Sequence, residues 1–190
     1  MEEDDMTRFP VEKYASLELN QVAFPKTGMV VSQTPLGAAF TAAAPCENGM
    51  WVVADKSAGV LNAPAAVTDT PIGIVYTAEK EYNPYEIGLK HFKGKIAGEY
   101  PRVGIFGLGD TVTTNCLQYD ETTYTTFAAL ETVLKAAETT PVYVVAVAGS
   151  AVPALTTSKP ANGGTYGKVT KYYTMPNGEK GVKYQIVSLA

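Results

Sequence analysis

Short apolar runs, separated every few residues by Gly, Asn or Pro, most narrowly limit what this chain can fold into. Met29-Val30-Val31 comes first, and Met50-Trp51-Val52-Val53 follows Glu47-Asn48-Gly49. Val60-Leu61 follows Lys56-Ser57-Ala58-Gly59, and Ile72-Gly73-Ile74-Val75-Tyr76 follows Asp69-Thr70-Pro71. Val103-Gly104-Ile105-Phe106 and Thr111-Val112-Thr113-Thr114 flank Gly107-Leu108-Gly109-Asp110. Runs of this length suit strands, and their β-branched and aromatic content suits a pleated surface. The pattern predicts a mainly β domain over residues 28–190, α+β by virtue of one helix, arranged as an antiparallel β-sandwich or barrel.

The helix is expected near 126–138. Thr126 can cap it, and Phe127, Leu130, Val133 or Leu134, and Ala137 recur at helical spacing. Pro141 stops it, and Val142 to Val147 reads as a buried strand. Residues 149–164, rich in Gly, Pro, Ser and Thr, read as a flexible connection. Tyr166 to Met175 and Val182 to Leu189 flank Pro176-Asn177-Gly178-Glu179, which predicts a hairpin with a type I′ turn. Along the last strand Val182, Tyr184 and Ile186 share one face, with Lys183, Gln185 and Val187 on the other.

Two segments break the pattern. Residues 1–27 intersperse charges with lone apolar residues, broken by Pro10 and Pro25, and read as an extended N-terminal arm. Such a segment buries too little to order itself, and reads either as a frayed terminus or as an arm that orders against a neighbouring subunit. Residues 77–100 carry much of the mid-chain charge with Tyr82, Tyr85, Phe92 and Tyr100, and read as a long excursion between strands. Excursions of this length are usually functional or packed on a partner.

Composition excludes several functions. The net charge is -4 and there is no basic stripe, so free nucleic acid is not an expected partner. The acidic start has no apolar signal region, and no apolar run is long enough to span a membrane. Charged residues make up 18% of the chain, against about 25% in a typical soluble domain. Either the core is large or a partner covers part of the surface.

No catalytic constellation stands out. Gly104, Gly107 and Gly109 have GxxGxG spacing, but strand rather than helix follows, so a turn is the reading and not a dinucleotide cradle. His91 is the single histidine, and no nucleophile elbow accompanies it. Glu79, Glu81, Glu86 and Glu99 read as a solvated face, and no calcium-loop pattern occurs. Cys46 and Cys116 lie far apart with no second pair to build a zinc site; two buried free thiols are expected, with a disulfide left open. No metal, cofactor or enzymatic activity is expected.

The residues 47–53, then Gly59-Val60-Leu61, then Thr70 to Val75, form a small β unit with a Gly-Ile-Val strand after a Pro turn. Tyr100 to Gly104 and Gly109 to Asn115 extend it. This order of features resembles virion structural proteins of tailed phages, in particular head decoration or auxiliary capsid proteins. The resemblance covers residues 45–117; the helix and the aromatic excursion have no counterpart in it. It implies a β-rich cement on the outer capsid surface, made in the host cytoplasm. It further implies binding to the major capsid protein, often as a homotrimer or other homo-oligomer.

The aromatic residues Phe9, Tyr14, Tyr82, Tyr85, Phe92 and Tyr100 are then the candidate partner interface, because Tyr combines contact area with a hydroxyl. A carbohydrate-binding or host-attachment module, with Tyr82, Tyr85 and Phe92 as a stacking platform, is the alternative. A neck or fibre-base component is another, and a small enzyme using His91 with Glu79 or Glu81 is the third.

Overall fold

The computed structural model of the chain describes residues 6–11, 14–18, 29–55, 57–77, 95–160 and 163–190. Twelve strands and one helix occur among them: β1 (Met6–Arg8), β2 (Val30–Val31), β3 (Trp51–Asp55), β4 (Val60–Asn62), β5 (Ile72–Val75), β6 (Val103–Ile105), β7 (Thr111–Thr114), β8 (Gln118–Asp120), α1 (Phe127–Lys135), β9 (Tyr143–Val147), β10 (Ser150–Thr156), β11 (Tyr166–Thr174) and β12 (Lys180–Ser188). They form a seven-stranded sheet ordered β1-β8-β10-β9-β11-β12-β7 and a five-stranded sheet ordered β2-β6-β5-β3-β4. The fold is mainly β and sandwich-like, with no closed barrel.

Alternation along the strands explains how the sheets stack. In β3, Trp51 and Val53 face the core shared with the large sheet, while Val52 and Ala54 face a second apolar cluster. In β5, Ile72 and Ile74 go to the first cluster and Val75 to the second. Both faces of the small sheet are therefore buried. Leu36, Phe40, Cys46 and Met50 pack in this second cluster, which also includes Ala151 and Val152 of β10. Trp51 reaches across to Tyr184 on β12, its indole N–H donating to the phenolic oxygen at 3.0 Å.

The helix forms where its periodicity predicts. The Thr126 hydroxyl accepts from the Ala129 N–H at 3.3 Å, Leu130 and Leu134 are buried, and Phe127 and Val133 pack on the same cluster. The α-helical part ends at Lys135; a turn through Thr140 then leads into β9.

Four sequence expectations need correction. First, the sheets are not purely antiparallel, because β10 runs parallel to β8. The chain leaves β8, crosses through α1 to β9, and turns back at Gly149 so that β10 inserts between the two. Second, residues 149–164 are not one flexible connection: Ser150–Thr156 is a strand whose central residues are buried. Pro153 lies where the ladder with β9 shifts register, a position that needs no N–H from it.

Third, the hairpin turn is not type I′. Gly178 donates to the Met175 carbonyl at 2.9 Å, and Met175 donates to Glu179 at 2.8 Å. Of the turn residues only Gly178 has positive φ, +89°, so Pro176 and Asn177 are the central pair and Gly178 forms the bulge. Pro176, fixed near a φ of about −65°, favours this placement.

Fourth, residues 1–27 are not simply an arm awaiting a partner. Within them, β1 pairs with β8, and Phe9, Ala15 and Leu17 lie in the chain's own core. Several polar groups of its described residues also find partners, as described next.

Candidate functional site

The described N-terminal residues are held by two polar clusters. Glu47 Oε2 accepts from Arg8 Nη2 at 3.0 Å and from the Ala15 N–H at 2.8 Å. At the far end of the segment, Asn115 Oδ1 accepts from the Ser16 N–H at 2.6 Å. Glu179 Oε2, beside the hairpin turn, accepts from Ser16 Oγ, Asn115 Nδ2 and Asn177 Nδ2 at 2.7–3.1 Å. The hydroxyl of Tyr173 donates to Glu18 at 3.1 Å. These groups anchor chain to chain.

Cys46 and Cys116 are free and fully buried. Burial raises both, with the neighbouring thiol and Glu47 adding to the effect at Cys46; Cys116 is pushed up to about 12 by burial, with Glu47 adding and Arg8 opposing. A thiol so disfavoured as thiolate is a poor nucleophile. Among the described residues no group of three or more His, Cys, Asp or Glu could hold a metal ion. The Gly107–Asp110 segment is a turn, closed by Asp110 Oδ2 accepting from the Gly107 N–H at 2.6 Å. Glu99 caps another turn, accepting from the Ile96 N–H at 2.6 Å. His91, Glu79, Glu81 and Glu86 lie outside the described residues.

The six aromatic interface candidates separate. Phe9 is only 1% exposed; its ring meets Phe127 edge-on at 4.9 Å, so it is a core residue and not an interface residue. Tyr14 is half-buried, and Tyr100 is 58% exposed. Tyr82, Tyr85 and Phe92 lie outside the described residues. The structure therefore leaves Tyr100 as the one fully surface-facing candidate among those it describes.

What the sequence reading missed is an apolar sheet edge. β2 ends the five-stranded sheet and pairs on one side with β6. Its neighbour Met29 is 57% exposed and Val30 40%. The far edge of the same sheet differs: Leu61 of β4 donates to the Pro35 carbonyl, and Gly37 donates back to Leu61, both at 2.8 Å. The β7 edge of the large sheet is likewise covered, with Leu17 bridging Thr114 and Glu18 donating to Thr113. The run Met29-Val30-Val31 is visible in the sequence, but its edge position depends on strand order.

Cavities open at two places among the described residues. One, of about 270 Å³, is mostly apolar and lies between Met6, Val67, Leu155, Pro160 and Gly163. The other, of about 360 Å³, is walled by small residues near Arg8 and Glu47. Asp120, Tyr124, Ser158 and Lys159 are among the residues that line the first, and Arg8, Glu47 and Ser150 among those that line the second. No protein-family model matches the chain, and comparison with curated proteins and with solved structures returns no similar protein.

Proposed function

We propose that the chain is a non-enzymatic virion structural protein, which binds and stabilises a tailed-phage capsid lattice from its outer surface. The major capsid protein is its partner, and the chain acts as a homotrimer or other homo-oligomer. The observation that carries this reading is the exposed apolar edge at Met29 and Val30, on a fold that covers its β4 and β7 edges with its own chain. Among the described residues no strand pairs with the far side of β2, and an unpaired edge presents backbone donors and acceptors to a second chain, which natural folds usually blunt. Low charge content and buried, inert thiols support a binding role, and the resemblance over residues 45–117 supports the capsid.

Co-sedimentation with purified phage heads tests the reading. Saturable binding at a fixed ratio to the major capsid protein is the expected result. Met29→Lys/Val30→Lys should weaken that binding about tenfold or more without lowering Tm, since both side chains already face water. Absence of binding by the wild type would move the assignment to a neck or fibre-base part, or to a glycan-binding module.

A further inference from the structure

The β11–β12 hairpin is basic on an acidic molecule. Residues 163–190 hold four lysines and one glutamate, whereas the rest of the chain holds eleven Lys and Arg against eighteen Asp and Glu. Three of these lysines share one face. Val182, Tyr184 and Ile186 of β12 point into the core, so Lys183 and Gln185 point outward. Lys171 sits directly across from Lys183, and Lys168 across from Gln185. Lys168, Lys171 and Gln185 are exposed and Lys183 is half-buried.

Like charges directly opposite on neighbouring strands disfavour the pairing. Among the described residues no carboxylate forms an ion pair that would offset the clash between Lys171 and Lys183. No ion pair reaches Lys168, Lys171 or Lys183 among the described residues. Lys171 lies over the Tyr173 ring, 5.3 Å from its centre, and Glu18 is engaged with the Tyr173 hydroxyl. The face thus carries three lysines at register-defined positions with no ion-pair partner among the described residues.

We propose that this outer face of the large sheet docks an acidic, extended segment of a partner protein. An extended segment places alternate side chains on one side about 7 Å apart, so two or three carboxylates can meet the three lysines. The acidic remainder of the chain opposes the approach of a long polyanion, which favours a short acidic peptide over nucleic acid. If the capsid reading holds, the segment belongs to the major capsid protein; the proposal is tested without heads, so the two can fail separately.

The probe is a labelled hexaglutamate peptide, titrated into the full chain at low salt and followed by fluorescence anisotropy. Binding should weaken about tenfold or more in Lys168→Gln/Lys171→Gln/Lys183→Gln. It should survive in Lys135→Gln/Lys180→Gln/Arg102→Gln, which removes equal charge elsewhere. No binding by the wild type, or equal loss in both variants, overturns the proposal. A hexathymidylate that binds more tightly than the peptide through the same lysines would also overturn it and assign the face to nucleic acid.

Discussion

Trp51 and Tyr184 join the two sheets at a single buried contact. Their rings lie 6.1 Å apart and the indole N–H has the Tyr184 oxygen as its acceptor. Removing that oxygen leaves a buried donor unpaired, which costs about 1–3 kcal/mol. Tyr184→Phe should lower the urea-derived unfolding free energy by that amount; an unchanged midpoint would show that the hydrogen bond contributes nothing. The thiols give a second test. Cys116 holds its proton to about 12 when folded, while an unfolded thiol loses it near 9. The folded state therefore binds more protons between those values, and its stability falls as pH rises through that window. The slope is up to about 1.4 kcal/mol per pH unit for one such group. Cys116→Ala should flatten the loss seen in alkaline denaturation. At this scale the sequence revealed which residues are apolar, but not that Trp51 meets a residue 133 positions away.

Elements built from local pattern were legible before the fold was known. The α1 cap and stripe, and the inward face of β12, follow from spacing alone. β10 was not legible, because Gly, Pro and Ser around it signal loop while its burial comes from neighbours on both sides, β8 and β9. The N-terminal segment failed for a related reason. Its apolar residues are too sparse to show a period, yet Phe9, Ala15 and Leu17 are buried in the chain's own core. Their burial bears on truncation. Removing residues 1–27 should not leave the fold intact; circular dichroism and thermal melts should show loss of the cooperative transition. The milder Phe9→Ala should cost about 3–5 kcal/mol, since Phe9 is enclosed and packs on Phe127. A truncated chain that melts like the wild type would restore the arm as a detachable element.

The whole molecule is two sheets joined through one core, with a second apolar cluster beneath the smaller sheet. Fold class followed from strand spacing, whereas sheet order, edge position and the facing of the lysines depend on non-local pairing that no short window contains. The candidate residues show the same split: Tyr100 is exposed, Phe9 is buried in the core, and the edge position of Met29 and Val30 emerged only from strand order. A protein that binds an assembled lattice and not its separated subunits stabilises the assembly by mass action. The most direct measurement is therefore the temperature at which purified heads disrupt, followed as the chain is added. The capsid reading predicts that this temperature rises and levels off at the ratio where co-sedimentation saturates. A disruption temperature that stays constant through saturation would contradict it.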